Sequence, residues 1–279
     1  MNPSAPRLCA AVVLYRPMEE EVVCNVRSYS DDVDLLLLVD NSEFGYTHEG
    51  RFRMEFPHAR YIRLCENRGI ASALNVAFAE AGSVGASWVL TMDQDSSFPE
   101  PSGFRDYLGG VDRAGWDSAP LFCPMYPGES TDSSQFWTSG ALVSLCAWRD
   151  VGGFDERLFI DEVDGDFSYR LRITGHHLVK IHDTRLRHKL GEPIRRRIAG
   201  RWVSSDNHSA LRKYYIARNR VYLMLRRPDM LGSYLGDSIK KLITFLLVEA
   251  DRPHKLAMVF KGVLHGIVGR MGKYPGGHP

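Results

Sequence analysis

The chain has 279 residues, of which 44 % are hydrophobic and 25 % charged, and its formal net charge is +1. That is enough apolar material for one large α/β domain with an appendage, or for two small domains. The five cysteines, Cys9, Cys24, Cys65, Cys123 and Cys146, are odd in number and contain no Cys-x-x-Cys pair, which suggests neither a zinc ribbon nor a disulfide framework and suits reduced, buried thiols in a cytosol.

The near-neutral total conceals an asymmetry. Residues 1–184 carry 15 Lys+Arg against 28 Asp+Glu, and residues 185–279 carry 20 against 6. An acidic front half suits a metal site. A basic tail suggests an anionic partner such as a membrane surface, a lipid phosphate or nucleic acid.

In chain order, Met1 to Arg7 shows no signal-peptide pattern. Leu8 to Tyr15 is a continuous apolar run, the pattern of a strand buried on both faces of a parallel sheet. Pro17 opens a helical stretch to about Tyr29. Leu35 to Val39 reads as a second strand ending at Asp40-Asn41-Ser42, and Arg60 to Leu64 as a third. Asn67-Arg68-Gly69 makes a turn, Ile70 to Ala81 a helix, and Trp88 to Met92 a fourth strand. Strands alternating with helices predict an α/β fold built on a mostly parallel, doubly wound sheet. Short strands are expected at Ala119 to Pro124 and Thr138 to Ser144, a helix at Val163 to Thr174, and an edge hairpin from His177 to Ile181 and Thr184 to Arg187. The Arg195-Arg196-Arg197 run reads as solvated charge. From Ser209 the chain reads as helices over Ala210 to Leu225, Leu231 to Ala250 and Pro253 to Met271, with a frayed tail from Gly272 to Pro279. The domain expectation is 1–208 for the sheet domain and 209–279 for a helical, basic region. Leu242 to Val248 is far too short an apolar run to span a bilayer.

Asp93-Gln94-Asp95 directly follows the fourth strand. In a strand, residues i and i+2 share a face, so both carboxylates point the same way where open α/β sheets bind ligands. A pair of carboxylates there suits a hard divalent cation, Mg²⁺ or Mn²⁺, that also holds a substrate diphosphate. A solvated turn is the ordinary alternative. A second acidic cluster, Asp161-Glu162-Val163-Asp164-Gly165-Asp166, follows about seventy residues later.

The landmarks fall in a fixed order: Val13 to Pro17, Val39-Asp40-Asn41, Asn67 to Asn75, Asp93-Gln94-Asp95, Thr138-Ser139-Gly140, Gly152-Gly153-Phe154-Asp155, then Phe159 to Asp164. This series resembles family 2 inverting glycosyltransferases of the GT-A fold over roughly residues 8–225. Within that family the chain looks most like bacterial dTDP-rhamnosyltransferases. The residues that suggest this are Phe159-Ile160-Asp161-x-Val163-Asp164, Arg187-His188-Lys189-Leu190-Gly191 and Arg212-Lys213-Tyr214-Tyr215-x-x-Arg218-Asn219. Many relatives have Glu-Trp where this chain has Asp166-Phe167, and a Tyr at the place of Glu162.

The resemblance implies roles. Asp93 and Asp95 would hold Mg²⁺ or Mn²⁺ against the diphosphate, with Asp95 favoured as the direct ligand and Asp93 also donor-facing. Asp164 matches the general base that deprotonates the acceptor hydroxyl. Carboxylates crowded near it should raise one pKa, and Arg170 would orient that face. Tyr15, Arg16 and Asp40 match nucleotide contacts, and Asn67, Arg68 and Gly69 the next donor loop. His188 matches a late His that completes the metal shell or touches the diphosphate, with a structural strand His as the alternative. Arg218 would grip a donor phosphate, or cap a core of Tyr214 and Tyr215. The expected donor is dTDP-L-rhamnose, and the acceptor a growing, lipid-linked cell-surface glycan. UDP-galactofuranose transfer is the runner-up and sugar nucleotidyl transfer a more distant one.

Two other classes fit less well. A nicotinamide-dependent oxidoreductase needs Gly-x-Gly-x-x-Gly after strand one, where this chain has Tyr15-Arg16-Pro17. A nucleic-acid-binding module would interleave aromatics with its Lys and Arg, and the tail does not. In the tail, Ile239, Leu242, Ile243, Leu246 and Leu247 fall on one side at helical spacing beside Lys240 and Lys241. Such a helix suits peripheral contact with the inner face of a cell membrane from the cytoplasm, or else packing on the catalytic domain or on a second subunit.

Overall fold

The structure, a computed structural model, describes residues 7–44, 48–99, 101–126, 129, 136–188, 193–198 and 200–276. The first elements are β1 (Leu8–Leu14), α1 (Glu19–Arg27), β2 (Leu35–Asp40), α2 (Glu49–Glu55), β3 (Arg60–Arg63), α3 (Ile70–Ser83) and β4 (Trp88–Asp93). Then come β5 (Ser96–Ser97), α4 (Gly103–Ala114), β6 (Leu121–Met125), β7 (Ala141–Ser144), α5 (Leu145–Asp150), α6 (Val163–Ile173), β8 (Leu178–Arg185) and β9 (Arg187–His188). The last are β10 (Ile194–Ile198), β11 (Arg201–Ser205), α7 (Ala210–Met224), α8 (Leu231–Val248) and α9 (Arg252–Ile267).

Among the described residues, seven strands form one sheet in the order β3-β2-β1-β4-β7-β6-β8. β1 pairs in parallel with β2 on one side and β4 on the other, β2 with β3, and β6 with β8. Only β7 runs against its neighbours. Every residue of β1 is buried, as its unbroken apolar run requires of a strand covered on both faces. The strand order turns back between β1 and β4, and in such sheets the crevice beyond the strand ends at that point receives ligands. The core includes Val12, Leu38, Leu90, Phe122 and Leu142 from the sheet and Tyr29, Phe98, Phe104 and Tyr107 beside it. Each fully buried side chain of this kind contributes about 1.5–3 kcal/mol.

By contacts the chain groups into two units, 1–156 with 163–189, and 157–162 with 190–279. The expected boundary at 208 marks the onset of continuous helix, whereas the contacts assign the β10–β11 hairpin and the loop 157–162 to the helices. One expectation is corrected. No hairpin forms over 177–187: β8 runs unbroken through Asp183 and Thr184, parallel to β6, with Thr184 buried. The triple-arginine run is exposed, as solvated charge is, and it lies on a strand, β10, paired with β11. Lys189-Leu190-Gly191 and Gly277 to Pro279 of the tail lie outside the described residues. No helix of the described residues is long and apolar enough to cross a membrane.

Candidate active site

At the end of β4, ligand atoms of Asp93, Asp95 and His188 all lie within 4.8 Å of one another. The strand stops at Asp93, and Gln94-Asp95 form a turn. The carboxylates therefore converge through a turn, not through the strand alternation expected from sequence. His188 arrives by pairing: β9 lies antiparallel to β5 with Ser96 opposite His188. The Ser96 hydroxyl bonds His188 Nδ1, and that nitrogen is 3.6 Å from Asp95 Oδ1. Two carboxylates and an imidazole, all half-buried, make a donor set that fits a divalent ion such as Mn²⁺. Gln94 faces the other way. It accepts from Tyr15 N at 2.8 Å through Oε1 and donates to Tyr15 O at 3.2 Å, stitching the ends of β1 and β4 together across the switch point.

Beyond β1 and β2 a polar rim follows. Tyr15 donates its hydroxyl to Glu43 Oε1 at 3.0 Å, and Arg16 Nε donates to Glu43 Oε2 at 3.1 Å. Arg16 N donates to Ser42 Oγ, and Arg16 holds a φ of 44°, rare for a side chain of its size. Burial raises the Tyr15 pKa, and the hydrogen bond to Glu43 adds to the rise. Burial alone would lift Glu43. Hydrogen bonds from its own backbone, Tyr15 and Arg16 outweigh that and bring it below the usual range. Asn41 is the hinge of the next loop: its Nδ2 donates to Asn67 Oδ1 and its Oδ1 accepts from Arg68 N at 2.8 Å, while Gly69 N donates to Asn67 Oδ1. The side chains of Asn67 and Arg68 are thereby fixed or presented from one compact turn.

Asp40 differs from expectation. It is only 2 % exposed, and its oxygens accept from Ser42 N at 2.9 Å and Tyr61 Oη at 2.5 Å. It builds the strand end from below, and the carboxylate facing outward there is Glu43. Sequence reading missed Asn41, Ser42, Glu43 and Gln94. The Asp40-Asn41-Ser42 turn chemistry was a usable signal for the first two.

Asp164 lies in the first turn of α6, half-buried, and its Oδ1 accepts from Gly165 N at 2.9 Å. The segment before it is pinned within the same unit. Asn75 of α3 brackets Phe154, donating to its O and accepting from its N, and donates to Glu156. Arg170 Nε donates to buried Asp166, and its Nη1 donates to the carbonyls of Val151 and Gly153. Phe154 stacks on Phe167 with ring centres 4.3 Å apart. Arg170 thus orients this face, as expected, but by tying α6 to the Gly152-Gly153 turn.

In the other unit, the loop 157–162 carries three non-glycine residues at positive φ: Phe159 at 66°, Asp161 at 64° and Glu162 at 62°. Each such residue costs about 1–3 kcal/mol unless its surroundings over-determine it. They do. Asn219 Nδ2 donates to the carbonyls of Leu158, Ile160 and Asp161 at 2.8–3.0 Å. Arg212 pairs with Asp161, Arg220 with Glu162, and Tyr215 stacks on Phe159 at 5.1 Å. Burial raises the pKa of Asp161, with Arg212 working against the rise.

Arg218 is corrected by the same contacts. It is fully buried. Its Nε and Nη2 donate to Asn219 Oδ1, Nη2 also to Leu158 O, and Nη1 to Gly272 O. Burial lowers its pKa. With every guanidinium nitrogen committed inside the helical unit, it does not grip a donor phosphate.

Residues 19–108 match the model of glycosyl transferase family 2. Over 96 % of its length the chain is 25 % identical to the dTDP-rhamnosyl transferase RfbF of Shigella flexneri, covering 97 % of that protein. The chain is thus similar to glycosyl transferase family 2 over residues 19–108, and to one dTDP-rhamnosyl transferase over nearly its whole length. Its fold is GT-A: it aligns with S. aureus TarS at a TM-score of 0.53 and 13 % identity, covering 82 % of this chain and 43 % of that one. It aligns with GalNAc-T7 crystallised with UDP, GalNAc and Mn²⁺ at 0.55 and 12 %, covering 81 % and 51 %. The chain thus spans about half or less of these two solved structures. At such identities the likeness carries the fold alone. The chain has its Asp-x-Asp cluster at the sheet's switch point, as open α/β sheets place ligand sites.

Proposed function

We propose that this glycosyltransferase moves L-rhamnose from dTDP-L-rhamnose, with inversion, onto a hydroxyl of a growing lipid-linked cell-surface glycan. The observation that carries the donor is the near full-length similarity to a dTDP-rhamnosyl transferase. Asp93, Asp95 and His188 hold Mg²⁺ or Mn²⁺, an assignment supported by the convergence of their ligand atoms. When bound, that ion supplies positive charge to the departing diphosphate. Tyr15, Arg16, Asn67, Arg68 and Gly69 hold the nucleoside and diphosphate, at β-strand ends tied together through Gln94 and Asn41.

Asp164 takes the proton of the acceptor hydroxyl. The acceptor oxygen forms a bond to the anomeric carbon from the face opposite the leaving group. The bond from that carbon to the diphosphate oxygen breaks, its electron pair leaves with dTDP, and the configuration inverts. Asp164 suits this task because it is only half-buried and sits at a helix start pinned by Asn75 and Arg170.

The acceptor reading places the enzyme in the cytoplasm against the inner membrane face. Leu235, Ile239, Ile243 and Leu247 of α8 are exposed at helical spacing beside Lys240 and Lys241, a pattern that suits an anionic lipid surface better than bulk water. Salt-sensitive co-sedimentation with anionic liposomes is expected, and deletion of 231–279 should abolish it.

A competition titration of dTDP-L-rhamnose, UDP-glucose and UDP-galactofuranose in Mn²⁺ tests the donor. The dTDP sugar should bind most tightly. Tighter binding of UDP-galactofuranose would reassign the enzyme as a galactofuranosyltransferase.

A further inference from the structure

We propose that Gln94 is a positioning residue that sets the gap between the two ends of the donor site, with Asn25 as its buttress. This rests on the reading of Tyr15 and Arg16 as nucleoside contacts and of Asp93, Asp95 and His188 as the metal end. The paired register of β1 and β4 runs from Leu8 opposite Trp88 to Val13 opposite Asp93 and stops there. Tyr15 and Gln94 both lie beyond that last pair. The nucleoside end and the metal end therefore sit on two chains that have just left their common ladder, and Gln94 continues the join with its side chain.

The chemistry of the join is specific. Oε1 of Gln94 accepts from Tyr15 N at 2.8 Å while Nε2 donates to Tyr15 O at 3.2 Å. One amide that meets both backbone groups of one residue fixes its own orientation, because a flipped amide would set donor against donor and acceptor against acceptor. An ionised glutamate could not replace it, having no hydrogen to give. Helix α1 holds the same turn from another side. Asn25 Nδ2 donates to Gln94 O at 3.0 Å, and Ser28 Oγ, nearly one helical turn on, accepts from Phe98 N at 3.0 Å. Asp93 N donates to Ser139 Oγ at 3.2 Å. The segment that presents both carboxylates is thus gripped from β1, from α1 and from the turn before β7, and all of these residues belong to the unit formed by 1–156 and 163–189. A ligand that engages two places at once binds according to how well their separation matches its own length, whereas a ligand that engages one place does not sense the separation. Loss of the Gln94 join should therefore fall on nucleoside diphosphates and spare each of their halves.

The test uses the whole chain and three probes titrated by calorimetry: thymidine in EDTA for the nucleoside end, pyrophosphate with Mn²⁺ for the metal end, and dTDP with Mn²⁺ for both. Gln94→Met keeps the length of the side chain and removes both hydrogen bonds. It should weaken dTDP by about 10–30-fold, while thymidine and Mn²⁺-pyrophosphate each change by less than about threefold. Asn25→Ala leaves α1 intact, since alanine is a strong helix former, and releases Gln94 O. It should weaken dTDP by about threefold to tenfold with the same sparing of the two halves, and it decides the matter if Gln94→Met does not fold. A loss of thymidine or of Mn²⁺-pyrophosphate as large as the loss of dTDP would make Gln94 a contributor to one end alone and overturn the proposal, as would folded variants with wild-type dTDP affinity. A wild type that binds dTDP equally well in EDTA and in Mn²⁺ overturns the metal reading itself and this proposal with it, so the wild type alone tells the two failures apart.

Discussion

A methyl group added at Gly266 should destabilise the helical unit, and the size of the effect follows from one distance. Helix α9 packs on α7 through Gly262 and Gly266. A Cβ at Gly262 would lie 2.5 Å from Tyr214 O, and one at Gly266 would lie 2.6 Å from Arg218 O. Ordinary contact begins near 3.4 Å, so about 0.8 Å must be found between two helix backbones, neither of which can rotate aside as a side chain would. Overpacking of this kind costs about 1–3 kcal/mol. Alanine returns about 0.8–1 kcal/mol of helix propensity over glycine, so the expected net loss is up to about 2 kcal/mol for Gly266→Ala. Gly262→Ala together with Gly266→Ala should cost less than the sum, because α9 needs to move away only once. Gly236→Ala on α8 is the internal control, since no atom lies within 4 Å of its would-be Cβ. It should stabilise by about 0.5–1 kcal/mol. Urea denaturation followed by circular dichroism measures the wild type and all four variants. A Gly266→Ala variant as stable as Gly236→Ala would refute the close backbone approach, and with it the account of how α7 is seated.

Three further outcomes are expected. EDTA should stop turnover and Mn²⁺ or Mg²⁺ restore it, and Asp95→Ala should weaken binding of dTDP more than of thymidine; undiminished activity in EDTA would remove the metal from the proposal. Asp164→Asn should lower kcat by about 10²–10⁴-fold with donor Kd nearly unchanged; a variant retaining a tenth of the activity would be inconsistent with a base. His208 has its pKa pushed down from 6.5 to about 4, first by burial and then by Arg212. Between those values the unfolded chain binds a proton that the folded one refuses, so stability should fall by roughly 1–2 kcal/mol from pH 7 to pH 5. His208→Asn should flatten that limb of the stability curve, and an unchanged slope would show that His208 titrates normally in the fold.

The sheet was legible because its strands are of the kind that announce themselves. Leu8 to Leu14, Leu35 to Val39 and Trp88 to Met92 are apolar on both faces, and all three are strands of the main sheet. Helices α3, α6 and α7 begin where their sequences predict. What was missed has physical reasons. Helix α4 contains Gly109-Gly110, a poor helical pair, yet a Cβ at Gly110 would lie 2.3 Å from Ile181 Cγ2. The packing of β8 requires the residue that local propensity disfavours. The arginines of β10 are all exposed, so they tell of solvent and nothing about strand pairing. Arg218 was open to two readings because a cation beside two tyrosines is compatible with either a phosphate or a packed core. Only the carbonyls of Leu158 and Gly272, which lie 60 and 54 residues away, decide between them.

The candidate site divides along the same line. Asp93 and Asp95 were found because the chemistry they suggest is written in three consecutive residues. Gln94 was passed over as the spacer between them, although its side chain closes the gap between the two strands that meet at the switch point. His188 depends on a two-residue pairing with Ser96, 92 residues earlier. A register shift of one residue in that pairing would turn the imidazole to the opposite face and take it away from Asp95. Nothing local to Arg187-His188 encodes that register. It is set by where β8 ends and where the turn after β4 begins, so the third member of a candidate metal site can be fixed by topology even when its first two are fixed by sequence.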